Sequence, residues 1–338
     1  MTTSILVMGD SYLSADQMRR TLDGWGAGFR LRYEDIDGSV RPTLPGLAEY
    51  QGDPMAIAAA MDDETVLLVH AAPVTAELLD ARPQIRLIAC ARGNPINVDL
   101  AAARERGVAV INTPAKNADS VADLTLSGVN QLMRRQNEAS SWLRERALAG
   151  ETHLDSTFSG GMWMGREPRS AVLGLIGVGA IGRKVSALAT AFGMSVQGYD
   201  PYVTSVPPGI AMVDLDELIS TSDVVSLHAK ATAENRHLVD TGRIARMKRG
   251  AILVNTARES LLDESALLDA LWSGQLGGAV LDVCEPDGVW PQLVQLPNVI
   301  LTPHIGGATE QVQERGLRML MQDIESFASG GVLQRRVA

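Results

Sequence analysis

The chain has 338 residues, 46% hydrophobic and 21% charged, a length that predicts two domains and a composition far from that of a disordered protein. Thirty basic against 40 acidic residues give a net charge of −10, which excludes the basic footprint of a nucleic-acid binder. No run of about 18 unbroken apolar residues occurs, so no membrane span is expected.

Residues 1–10 lack a basic region ahead of a long apolar stretch, so no signal peptide is expected. Short apolar runs then alternate with helical patterns, the signature of parallel α/β architecture. A strand is predicted over 5–8, a helix over 16–22 before Gly24, and strands over 66–70 and 87–91. A short helix over 100–106 closes at Gly107 and leads into a strand over 108–111. Cys90 and Cys284 lie inside apolar segments and read as small buried hydrophobes, which suits a reducing cytoplasm. Neither they nor the histidines show metal-ligand spacing, so no metal is expected.

One long helix is predicted over 120–148, ended by Gly150. The stretch 151–169 is irregular and carries Phe158, Met162, Trp163 and Met164. Apolar side chains in a loop point to an interface, and with the long helix they point to a homodimer. A second α/β unit follows, with strands predicted over 171–176, 195–199, 224–228, 251–255, 279–283 and 299–301. Six parallel strands joined by helices make a doubly wound sheet.

The strand over 173–176 runs straight into Gly177-Val178-Gly179-Ala180-Ile181-Gly182 and a helix over 183–192. In that context the glycines have separate tasks. Gly177 permits the tight turn, Gly179 lets backbone approach a pyrophosphate, and Gly182 lets helix pack on strand. The helix N-terminus offers N–H groups and a partial positive charge to the phosphates. Asp200 follows 18 residues after Gly182, at a strand end. A carboxylate there accepts from ribose hydroxyls and repels the extra phosphate of NADP, so the expected cofactor is NAD.

Three segments fall at later strand ends: 255–258 (Asn-Thr-Ala-Arg), 282–287 (Asp-Val-Cys-Glu-Pro-Asp) and 302–307 (Thr-Pro-His-Ile-Gly-Gly). Reducing a 2-keto acid needs a cation for the carboxylate and an acid for the developing alkoxide. Arg258 suits the first task, because its planar fork pairs with a carboxylate and stays charged. His304 suits the second, because its pKa lies near working pH, and a neighbouring carboxylate would orient it and favour its charged form. His228 ends a strand on the same edge and reads as lining the nicotinamide pocket. His70 and His237 read as packing or surface residues, and His153 falls in the irregular arm.

The three segments, in this order after the glycine motif, resemble those of the D-2-hydroxyacid dehydrogenase family, on its phosphoglycerate-dehydrogenase-like side without a regulatory C-terminal domain. The resemblance implies an α/β fold of two doubly wound parallel-sheet domains, with a Rossmann cofactor domain (117–308) inserted into a flavodoxin-like substrate domain (1–116 and 309–338). It implies dimerisation through the cofactor domain and catalysis by Arg258, a carboxylate and His304. Cofactor contacts fall on the glycine loop, including Ala180 and Ile181, on Asp200 and His228, and on Thr256, Ala257, Arg258, Asp282, His304 and Gly306. The substrate carboxylate falls to Arg258 and to a loop opened by Arg92, Gly93 and Asn94.

One departure stands out. The family places a glutamate, usually followed by proline, five residues after the strand-end aspartate. Here that position is Asp287, followed by Gly288, while a Glu-Pro pair occurs two positions early as Glu285-Pro286. Asp287 needs no gap and is the expected acid partner of His304, with Glu285 the alternative. Arg92, or Lys230 beyond His228, could serve a second anionic group on the substrate, such as the phosphate of 3-phosphoglycerate. Two other readings remain open at this stage: a glyoxylate or hydroxypyruvate reductase, and a non-catalytic NAD-sensing regulator of the same fold.

Overall fold

A computed structural model describes residues 2–25, 28–155 and 158–338. The chain divides into two compact units, Met1–Lys116 with Thr309–Ala338, and Asn117–Ala308.

The first unit is built on strands β1 (Thr3–Gly9), β2 (Phe29–Asp35), β3 (Val66–Val69), β4 (Leu87–Cys90) and β5 (Ala109–Ile111). They are parallel in the order β2-β1-β3-β4-β5, the flavodoxin-like arrangement. Successive strand residues point to opposite faces. Leu6, Leu67, Ile88 and Val110 therefore pack with helices α2 (Pro54–Ala60), α3 (Ala76–Ala81) and α4 (Leu100–Glu105) in one core. Ile5, Leu68, Ala89 and Ile111 pack with Met18 and Leu22 of α1 (Ala15–Leu22) and with Leu317, Leu320 and Ile324 of the final helix, Glu310–Ala328, in the other. The last residues pair with the outer strand, Val337 N–H on Val110 carbonyl and Val110 N–H on Ala338 carbonyl, which covers an otherwise open sheet edge.

Three of these elements escaped the sequence reading. β2 alternates Arg30, Arg32 and Glu34 with half-buried residues and has no apolar run. α2 and α3 are too short for a clear period, although Asp53 caps α2 ahead of Pro54 and Thr75 caps α3, both readable start signals.

The second unit has strands β6 (Val172–Ile176), β7 (Ser195–Tyr199), β8 (Ala211–Met212), β9 (Val224–Leu227), β10 (Ala251–Asn255), β11 (Leu276–Leu281) and β12 (Val299–Leu301). The order is β12-β11-β10-β9-β6-β7-β8, all parallel. The chain reverses its direction of travel between β6 and β9, and ligands bind in such sheets at the carboxyl ends beside that point. Helices α5 (Ala118–Met133) and α7 (Ala180–Ala191) cover one face. Helices α8 (Leu215–Thr221), α9 (Thr241–Arg246) and α10 (Glu264–Trp272) cover the other. The short strand β8 joins the six that the sequence predicts.

The predicted single helix over 120–148 is instead two, α5 and α6 (Gln136–Leu148), divided at Arg135, whose φ is 52°. An unbroken helix would give the Met133 carbonyl to the N–H of residue 137. Here Arg166 of the following arm donates its N–H to that carbonyl at 2.7 Å. The Arg135 guanidinium then pairs with Glu138 and lies 5.2 Å from the Trp163 ring centroid. Trp163 also packs on Trp142. Trp163 therefore belongs to its own unit's packing, while Phe158 and Met164 remain about four-fifths exposed, at 79% and 82%. Among the described residues, no helix is long and apolar enough to cross a membrane.

Candidate active site

β6 delivers the glycine loop to the reversal point of the second sheet. Gly177 has a φ of 98°, and a Cβ there would lie 2.6 Å from the backbone of His228 and Ala229, so only glycine fits. A Cβ on Gly182 would meet the Gly177 carbonyl at 2.3 Å, whereas a Cβ on Gly179 would meet nothing within 4 Å. The loop is thus packed from below and open above. Gly179 caps α7 with no side chain to fill its first N–H groups, which leaves a cradle for an anion. Asp200, after β7, accepts the Val178 N–H and the Tyr202 N–H, each at 2.9 Å. It braces the loop and stands at the position for a ribose. These residues fit a dinucleotide: α7 and its loop would hold the pyrophosphate and Asp200 the adenosine ribose.

The other strand ends bring the predicted catalytic segments to the same edge. After β10, Asn255 folds the chain back on itself. Its side chain accepts the Ala257 N–H at 3.1 Å and donates to the Arg258 carbonyl at 2.9 Å. This leaves Arg258 extended and exposed, its guanidinium donating to the Ala257 carbonyl at 2.7 Å. Thr256 is buried, its hydroxyl 3.2 Å from that of Thr125 on α5.

After β11, Asp282 is 2% exposed and accepts from the Thr302 hydroxyl at 2.6 Å and from the Ile305 and Gly306 N–H groups, each at 2.7 Å. Its carbonyl accepts the His304 N–H at 3.0 Å. Asp282 is thus the scaffold of the His304 loop. Gly306 is required by the same contact, since a Cβ there would lie 2.8 Å from the Asp282 carboxylate. His304 itself is exposed, in a left-handed conformation with φ 57°.

The two candidate acids differ. Glu285 pairs with Arg236 at 3.5 Å, and its N–H is taken by buried Glu264 at 2.8 Å. Burial raises the Glu264 carboxyl above the usual range. A Cβ on Gly288 would lie 2.8 Å from the other Glu264 oxygen. Asp287 is exposed, and neither acid bonds to His304 among the described residues. His228 bonds through Nε2 to the Ser226 hydroxyl at 2.8 Å, and burial pushes its pKa down to about 4. It stays neutral near pH 7. Lys230 is exposed.

The first unit presents its own edge. β1 and β3 end at Asp10 and His70, joined at 2.9 Å, with Tyr12 stacked on the imidazole. After β4, the Arg92 guanidinium is bound by the Glu49 carbonyl and carboxylate. Beside it the exposed N–H groups of Gly93 and Asn94 have no acceptor among the described residues.

A dinucleotide cradle sharing an edge with an arginine and a positioned histidine is the equipment of a nicotinamide-dependent dehydrogenase. Residues 126–306 match the family model described as the D-isomer specific 2-hydroxyacid dehydrogenase NAD binding domain. The chain is 38% identical over 260 residues to a hydroxypyruvate reductase of Thermotoga maritima, covering 74% of this chain and 80% of that one. It is 37% identical over 264 residues to a D-3-phosphoglycerate dehydrogenase of Mycobacterium tuberculosis, covering 77% of this chain and 48% of that one. Among solved structures, that of D-2-hydroxyisocaproate dehydrogenase aligns with a TM-score of 0.84 over 99% of both chains, at 24% identity. This chain belongs to the D-2-hydroxyacid dehydrogenase family. It is an oxidoreductase, and its cofactor is NAD.

Proposed function

We propose that the protein reduces a small 2-keto acid with one negative charge, of the hydroxypyruvate or glyoxylate class, to the D-2-hydroxy acid. Held by the glycine loop and Asp200, NADH would supply the hydride for C2. Arg258 spans the substrate carboxylate and the C2 oxygen, and its charge offsets the alkoxide as it forms. His304 donates the proton to that oxygen in reduction and removes it in oxidation. Asp287 is the acid partner of His304, and the N–H groups of Gly93 and Asn94 receive the carboxylate. The exposed arm around Phe158 supports a homodimer, and the charge and cysteine usage support a cytoplasmic protein.

The observation that carries the substrate class is the pairing of Arg92 with Glu49. Arg92, which opens the loop, is already neutralised by Glu49 and so is not free to pair with a second anion on the substrate. The same preference agrees with the relative from Thermotoga maritima, a hydroxypyruvate reductase matched over most of its length. The test is a screen with NADH, following absorbance loss, of hydroxypyruvate, glyoxylate and pyruvate against 3-phosphohydroxypyruvate and oxaloacetate. The monoanions are expected to show the higher kcat/KM. Higher values for the dianionic acids would overturn the proposal and reinstate a second-anion site.

A further inference from the structure

The edge of the first sheet holds a buried lysine that the chemistry above does not use. Lys116 is 9% exposed, and a buried charge is costly unless it is compensated. Its Nζ donates to the Ala91 carbonyl at 2.7 Å and to the Gln313 side chain at 3.3 Å. Among the described residues no carboxylate pairs with it. The charged and titratable groups around it are Cys90 on β4, Arg92 after β4, Asp10 after β1, and Arg315 of the final helix, which donates to the Lys116 carbonyl. Asp10 is already committed: it bonds to His70 at 2.9 Å and accepts the Tyr12, Leu13 and Ala71 N–H groups at 2.8–3.0 Å. The positive charge under the loop is therefore not cancelled.

The loop above it is pinned in one sense. The Ala91 carbonyl is held by Lys116, the Arg92 carbonyl by the Thr113 N–H at 2.9 Å, and the Gly93 carbonyl by the Asn112 amide at 2.8 Å. Three consecutive carbonyls tied down leave the following N–H groups, those of Gly93 and Asn94, exposed without acceptors. Successive outward N–H groups make an anion-binding concavity.

We propose that Lys116 is a positioning residue for the substrate carboxylate: it anchors the carbonyl from which the 92–94 loop springs and holds an uncompensated positive charge behind that loop's N–H groups. The proposal rests on the reading of this loop as the carboxylate seat. Burial pulls the Lys116 ammonium down to about 8. Above that pH the charge is lost, while the neutral amine can still donate to Ala91. The consequence falls on substrate affinity, and KM climbs as pH rises through that region.

The test measures KM and kcat for hydroxypyruvate from about pH 7 to about pH 9.5 in the wild type, Lys116→Arg and Lys116→Met. The wild-type KM should rise above pH 8. Lys116→Arg keeps its charge at every pH and should lack that rise. Lys116→Met should raise KM at pH 7 by about tenfold, the order expected for one partly screened charge pair, with a smaller change in kcat and no inflection. An unchanged inflection in Lys116→Arg, or a KM within twofold of wild type in Lys116→Met, would overturn the proposal. Should Lys116→Met fail to fold by circular dichroism, the wild type and Lys116→Arg profiles still decide. If the wild type turns over no 2-keto acid at all, the functional reading fails before Lys116 is considered.

Discussion

His304 occupies a backbone conformation that costs a non-glycine residue about 1–3 kcal/mol, and the three hydrogen bonds to the Asp282 carboxylate are what hold its loop there. Strain held by a buried acid is consistent with a side chain that must stand at one place and one angle. Replacing His304 by Ala should lower kcat by about 10²–10⁴-fold while NADH still binds, as read by fluorescence titration. Its acid partner is testable by substitution. Asp287→Asn should lower kcat while NADH still binds and Glu285→Gln should not, because Glu285 is engaged by Arg236 and its N–H is anchored by Glu264. The opposite pattern would move the role to Glu285.

At the same scale, His228 makes a pH prediction of its own. Its folded pKa of about 4 lies below the ordinary 6.5, so the unfolded chain binds the proton more readily than the folded one. Stability is therefore lost as pH falls from 6.5 toward 4. His228→Asn removes this titration, and its Tm should fall less steeply than that of the wild type across this window. Parallel Tm curves would show that other groups dominate.

The elements that position the site owe their geometry to close approaches. Gly165 lies against the break between α5 and α6, where a Cβ would meet the Met133 carbonyl at 2.3 Å. Gly160 in the same arm has nothing within 4 Å. Gly165→Ala should destabilise the protein by about 1–3 kcal/mol in urea unfolding, and Gly160→Ala should change stability far less. Equal effects would mean that arm and helix break are not locked together. The sequence could not show the break, because the residues on either side have helical propensity and the carbonyl at Met133 is claimed by an N–H 33 positions away.

For the whole molecule, the exposed apolar residues of the arm and of α6, Phe158, Met164 and Leu148 among them, call for a partner surface. The homodimer reading predicts a mass of about twice 36.1 kDa in light scattering at micromolar concentration, and Phe158→Ser should weaken it; a wild-type particle of single-chain mass would remove the reading. What the sequence determined by itself was local. The placement of the glycine loop, Asp200, Arg258 and His304 at strand ends was legible because strand ends announce themselves as short apolar runs. The doubly wound class was legible for the same reason. Tertiary structure alone decided that Asp282 is the scaffold of the His304 loop, that Arg92 is neutralised by Glu49, that Glu264 closes on Gly288, and that Lys116 sits uncompensated beneath the 92–94 loop. Each depends on a partner 20 or more residues away. Burial and charge compensation are properties of what the fold brings together in space, and no local pattern encodes them.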